Sequence, residues 1–224
     1  GVVMSNHTKY PYVLDVTGYN YTENRYLKDH GTYPERIIFG SENRHEYPLW
    51  RAVADNEHIF GQFLWTGIDY LGESGPYPSR GFVCGLLDLG GFVKPRGLYR
   101  KTLWSEKPFA SLGTVKKEMI TPKTLLFDLE AEWNYEIGDS VRVVAFSNCD
   151  SLRLMINGKA VMGRPKWQRQ SNAYYWDVLY EPGVLKVESW SVDGSYTDAQ
   201  IQTYGQSHRL TAYADRSVLC GEDD

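Results

Sequence analysis

The sequence predicts an α/β first half joined to an all-β second half. Up to about residue 110, short apolar runs alternate with segments of helical period. Further on, the hydrophobic period falls to two. Asn157-Gly158 and Asp193-Gly194 punctuate that alternation with hairpin turn signals. The change of character falls across "LGTVKKEMITP" (112–122), which sets the expected domains at 1–112 and 122–220. A chain of 224 residues is long enough for one large domain or two small ones.

In the first half, "YVLDVTGYNY" (12–21) is β-rich and ends in a polar aromatic cluster, and "RIIFGSE" (36–42) reads as a short buried strand. "EYPLWRAVADNEHI" (46–59) reads as a helix with Leu49, Ala52 and Val53 on one face. "GQFLWTGIDYLGE" (61–73) is strand-like at its start, and the Gly/Pro/Ser-rich loop "GESGPYPSRG" (72–81) follows. "PRGLYRKTLWSEKP" (95–108) reads as a helix ended by Pro108, with Leu98/Thr102 and Tyr99/Leu103 at i, i+4 spacing. Strands alternating with helices imply βα units and a parallel sheet. Parallel strands buried on both faces carry nearly continuous apolar runs, as "RIIF" and "QFLW" do.

In the second half, "SVRVVAFSN" (140–148) alternates, and "SLRLMINGKAV" (151–161) puts Leu152, Leu154 and Ile156 on one face before its turn. "AYYWDVLYEPG" (173–183) alternates Tyr174, Trp176, Val178 and Tyr180. "VLKVESWSVDGSYTDAQIQTYG" (184–205) holds the second turn, and "HRLTAYADRSVL" (208–219) closes the pattern. Short strands at regular spacing indicate an antiparallel β-sandwich.

Composition removes several function classes. A net charge of −4 without a long basic run argues against nucleic acid as a partner. No apolar run approaches the roughly 18 residues of a membrane span. The opening "GVVMSNHTKY" has neither the charged nor the apolar region of a signal peptide, and it does not look like a natural beginning. Cys84, Cys149 and Cys220 are far apart and odd in number, so at most one disulfide forms. His7, His30, His45, His58 and His208 show no metal-ligand spacing, so no metal or other cofactor is expected. Ser41 lies in no GxSxG context, which argues against a serine nucleophile. Seventeen Tyr and seven Trp suit a sugar-binding surface, although composition alone favours the plainer reading of aromatic cross-strand pairs in a β-rich core.

Function in α/β folds gathers at the C-terminal ends of parallel strands. Glu42 stands at such an end; so do Tyr19, Asn20 and Tyr21 after "LDVTG", and Trp65 in "QFLWTGIDY" with Asp69 just beyond. Together they present an amide, phenols, carboxylates and an indole, a set that suits a polyol: oxygens accept hydroxyl protons and an indole stacks on a sugar ring. Singly, each has a plainer reading. Glu42 could be a helix N-terminal charge, Tyr19 and Tyr21 rim aromatics, Trp65 core, and Asp69 a cap.

At these residues the chain resembles glycoside hydrolase family 2, the β-galactosidase and β-glucuronidase family. "DVTGYNYTENRY", "YPERIIFGSE" and "GQFLWTGIDYLGE" are similar to the last strands of its catalytic barrel, and "GLLDLGGFVKPRGLYRKTLW" to the closing loop and helix. "WNYEIGDSVRVVAFSNCDSLRLMINGK" and "VLYEPGVLKVESW" resemble, more loosely, a β-sandwich that follows the barrel. The resemblance implies the C-terminal portion of a (β/α)8 TIM barrel followed by an immunoglobulin-like antiparallel β-sandwich. It implies a retaining exo-β-glycosidase with Glu42 as nucleophile and Tyr21 as its hydrogen-bond partner. Trp65 becomes the floor of the sugar subsite, and Asn20 and His45 contact sugar hydroxyls. The family's acid/base Glu follows an Asn at an earlier strand end; Asn56-Glu57 lies within the expected helix, on the back of the barrel. The expected partners are therefore a β-glycoside and the missing N-terminal part of the same enzyme, and the chain alone is expected to be inactive. The alternative is a non-catalytic carbohydrate-binding or structural module; a third reading, an interaction domain built on the sandwich, leaves Glu42, Tyr21 and Trp65 unexplained.

Overall fold

The computed structural model describes residues 2–121, 129–169, 171–216 and 218. Cys220 lies outside them. A short helix α1 (Val2–His7) leads to β1 (Val16–Asn20), α2 (Tyr26–Thr32), β2 (Ile37–Asn43), α3 (Tyr47–Ala54) and β3 (Ile59–Leu64). The three strands form one parallel sheet in the order β1-β2-β3. On the helix side of this sheet, Tyr19, Ile38 and Ile59 pack with Tyr26 of α2 and Val53 of α3.

The other side of the sheet is open. Val16, Ile37, Phe60 and Phe63 are exposed, and Phe39 touches Phe60 and Phe63 at ring separations of 5.3 and 5.9 Å. The runs "RIIF" and "QFLW", expected to be buried on both faces, are covered on one face only. Apolar side chains that none of the described residues covers explain why the runs are continuous in sequence and alternate in burial.

Helix α3 is shorter than its expected span. It stops at Ala54, where the Asn56 amide donates to the Ala52 carbonyl (2.9 Å). Asn56 and Glu57 therefore lie in the turn that enters β3, not within a helix. Helix α2 was not expected: its sequence, "YLKDHGT", is too short to show a helical period.

A two-residue hairpin pairs β4 (Tyr70–Leu71) with β5 (Gly81–Phe82) across the Gly/Pro-rich loop. Helix α4 (Pro95–Trp104) starts with Pro in its first turn, where the missing N–H costs nothing. It ends at Trp104, before Pro108, with the Ser105 hydroxyl donating to the Lys101 carbonyl.

The second part holds two four-stranded antiparallel sheets. One runs β10 (Lys166–Gln168), β11 (Ala173–Leu179), β7 (Ser140–Ser147), β6 (Ala110–Lys116). The other runs β13 (Tyr196–Gln202), β12 (Val184–Trp190), β8 (Ser151–Ile156), β9 (Lys159–Ala160). They enclose one core, with Leu112, Val143 and Trp176 from the first sheet meeting Leu154, Leu185 and Val187 from the second. Trp133 is fully buried there and donates its indole N–H to the Glu181 carbonyl (3.0 Å). The Asn157-Gly158 turn has positive φ at both residues, 51° and 76°, as a two-residue hairpin requires.

Strand β6 crosses the expected linker and pairs with β7 along its length, so the sheet takes in residues from Ala110 onward. No strand forms among the described residues 203–216 and 218, where "HRLTAYADRSVL" was expected to close the pattern. Strand β7 is buried on both faces. Val141, Val143 and Ala145 face the core between the sheets, while Val144 and Phe146 face Tyr99 of α4, whose ring lies 5.1 Å from Phe146. Helix α4 thus ties the α/β part to the outer face of the first antiparallel sheet.

Candidate active site

The C-terminal ends of β1, β2 and β3 are stitched together by their backbones. Tyr21 N–H donates to the Glu42 carbonyl (2.9 Å), and Trp65 N–H donates to the Asn43 carbonyl (3.1 Å). Glu42, Tyr21 and Trp65 therefore sit side by side along one rim.

A bulge decides where Glu42 points. The pairing of β1 with β2 runs Tyr19 to Gly40 and then Asn20 to Glu42, so Ser41 is passed over. Gly40 and Asn43 are three residues apart, yet a Cβ on Gly40 would lie 1.8 Å from Asn43 Oδ1, so both face the helix side. Strict alternation would instead have placed Glu42 on that side. The extra residue turns Glu42 to the opposite face, a common use of bulges beside functional sites.

Two side chains then meet the Glu42 carboxylate. Asn20 Nδ2 donates to Oε2 at 3.1 Å. The Tyr21 hydroxyl forms a side-chain hydrogen bond with Glu42; burial first, and then that bond, push the phenol above its ordinary pKa. Tyr21 adopts a left-handed backbone with φ 48°, unusual for a bulky residue. Its backbone bond to the Glu42 carbonyl supports that conformation, and Arg44 lies over its ring at 5.3 Å.

Trp65 borders the same rim and is partly exposed, with Tyr70 edge-on at 5.9 Å and 89°. The Tyr70 hydroxyl donates to Glu73, and burial together with that carboxylate pushes its pKa up to about 12. Thr66 Oγ1 lies 3.4 Å from Cys84 Sγ just behind.

His45 lies beneath this surface. It is only 1% exposed, and Nε2 is 3.1 Å from the Trp65 carbonyl. Burial, with Arg96 and Arg100 nearby, lowers its pKa to about 4, so the ring is neutral at pH 7. It anchors the Trp65 backbone from below.

Two expected members of the cluster face elsewhere. Tyr19 is fully buried on the helix side, where its hydroxyl donates to Asp29 (2.9 Å) and accepts from Arg36 (2.9 Å). It sits one residue before Asn20, and strand alternation sends it to the other face. Asp69 is buried in a structural pair, accepting from Lys94 Nζ (2.7 and 2.9 Å) and from the Gly85 N–H (2.7 Å). Its carboxylate holds the loop that leads to α4.

Sequence reasoning passed over Asn43, Glu23 and Tyr70. The signal for Asn43 was the pair of small residues Gly40-Ser41, which marks a possible bulge and so a change of facing beyond it.

The chain is similar to several known proteins. A family model described as a domain of unknown function (DUF4982) matches residues 138–197. The beta-galactosidase BoGH2A of Bacteroides ovatus is 30% identical over 183 residues, which is 80% of this chain and 19% of that protein. A solved glycosyl hydrolase family 2 member from Bacteroides cellulosilyticus is 31% identical with a TM-score of 0.76, over 91% of this chain and 29% of its own. Sequence and structure both match glycoside hydrolase family 2. A beta-glycosidase structure from Bacteroides vulgatus shares the fold, with a TM-score of 0.66 at 19% identity, over 94% of this chain and 33% of its own. The chain spans about a fifth of the length of this curated beta-galactosidase.

Proposed function

We propose that this chain is the nucleophile-bearing part of a retaining exo-β-glycosidase that acts on terminal β-glycosides, β-galactosides first. The observation that carries the reading is the convergence of Asn20 and Tyr21 on the Glu42 carboxylate at a strand end beside Trp65.

In this reaction a Glu42 oxygen attacks the anomeric carbon while the glycosidic C–O bond breaks. The leaving oxygen takes a proton from a second carboxylic acid, which this reading assigns to a part of the enzyme outside the described residues. The resulting glycosyl ester is then opened by water, whose proton passes to that second carboxylate. In retaining enzymes the two carboxyl groups stand about 5–5.5 Å apart. Asn20 and Tyr21 contribute by donating hydrogen bonds to the Glu42 carboxylate, which orient it for attack. Trp65 offers an indole face to the sugar, with Tyr70 against its edge and His45 fixing its backbone. The open apolar face at Val16, Ile37, Phe60 and Phe63 supports the same reading, since a closed barrel would need only about five further strands to cover it.

The test is Glu42→Gln in the full-length enzyme, which keeps shape and removes the attacking charge. Turnover of aryl β-galactosides and β-glucuronides should be abolished with folding intact, and the purified chain alone should show no multiple turnover. Wild-type-like activity in the Gln variant would rule out Glu42 as nucleophile.

A further inference from the structure

Behind the rim, a buried carboxylate holds the residue next to Glu42. Glu23 is 9% exposed and lies in the turn just after Tyr21. Its Oε1 accepts a 2.6 Å hydrogen bond from Asn43 Nδ2, and the same amide donates to the Tyr26 hydroxyl at 3.2 Å. Asn43 is completely buried. Gly40 leaves the space this side chain fills: a Cβ there would lie 1.8 Å from Asn43 Oδ1 and 2.8 Å from the Tyr26 hydroxyl.

A buried carboxylate is costly to desolvate unless its partner is well placed. Here its effect is positional. The pair joins the turn after β1, which carries Tyr21, to the bulged end of β2, which carries Glu42. Because Asn43 is held on the helix side, Glu42 must face the opposite side. The length of the Tyr21–Glu42 bond then depends on where the turn at Glu23 is anchored.

We infer that the Glu23–Asn43–Tyr26 lock, fitted into the space at Gly40, positions Glu42 and Tyr21 for nucleophilic attack, with Glu23 and Asn43 as positioning residues that never touch the substrate. This inference rests on the reading of Glu42 as nucleophile. Misplacing a reacting group by about 1 Å costs as much as 10²-fold in rate. Loosening the lock should therefore lower kcat by about 10- to 100-fold while leaving KM within about threefold.

The experiment compares four variants of the full-length enzyme on aryl β-galactosides, with folding followed by circular dichroism. Glu23→Ala should lose kcat, and Glu23→Gln, which restores an acceptor for the Asn43 amide, should recover most of the loss. Tyr26→Phe removes only the 3.2 Å bond and should cost kcat about threefold; it carries the test if Glu23→Ala does not fold. Glu42→Ala is the reference: added azide should restore its turnover as a glycosyl azide, but should do nothing for the lock variants, which still hold their nucleophile. Folded Glu23→Ala and Tyr26→Phe variants with wild-type kcat would overturn the lock and leave the nucleophile assignment standing. An active Glu42→Ala that needs no azide would overturn both.

Discussion

His45 gives the structure a measurable acid sensitivity. The ring is almost fully buried and bonded to the Trp65 carbonyl, and its pKa is lowered from 6.5 to about 4, chiefly by burial and then by Arg96. The unfolded chain takes up this proton below about pH 6.5, whereas the folded chain takes it up only near pH 4. Between those values the unfolded state binds more protons, so stability is fully present above pH 6.5 and falls as pH falls. A shift of this size corresponds to about 3 kcal/mol in total, most of it lost by pH 4.5. The assay is urea denaturation of the chain from pH 7.5 to 4.5, wild type against His45→Gln. The variant should be less stable at pH 7.5, because buried packing and the bond to Trp65 change. It should then lose about 2–3 kcal/mol less than wild type on the way to pH 4.5. The lowered His58 is common to both proteins and drops out of the difference. Parallel curves would mean that His45 is not buried in its neutral form, and the anchor under Trp65 would fall with it.

Two further outcomes concern the bulge and the boundary. Gly40→Ala brings a Cβ to 1.8 Å from Asn43 Oδ1, so the lock must shift; it should destabilise the chain by about 1–3 kcal/mol in urea denaturation, and unchanged stability would contradict the tight fit. A segment spanning 108–216 should fold cooperatively and be more stable to heat than one spanning 122–216, because only the first keeps β6 paired along β7; equal melting temperatures would show that β6 adds nothing to the sheet.

Much of the fold was legible because its signals are local. The parallel strands ended where Glu42, Asn20-Tyr21 and Trp65 had placed them, and the Asn157-Gly158 turn formed as its residues demand. The facing of side chains was less legible, because facing depends on pairing between strands. One skipped residue, Ser41, reverses everything beyond it, which is why Asn43 went unnoticed while Glu42 did not. Tyr19 and Asp69 carry the right chemistry but are used elsewhere, by the buried pair Asp29/Arg36 and by Lys94. Sequence alone does not reveal which partner a buried polar group will find. "VVAF" looked alternating, yet both of its faces are covered, since α4 arrives from the other half of the chain.

The most direct test of Glu42 as nucleophile is covalent trapping in the full-length enzyme. A 2-deoxy-2-fluoro-β-galactoside with an activated leaving group slows breakdown of the glycosyl-enzyme more than its formation. Proteolysis and mass spectrometry of the inactivated enzyme should place the fluorosugar on the peptide containing "GSENR", esterified to Glu42. A label on any other carboxylate, with Glu42 unmodified, would contradict the assignment.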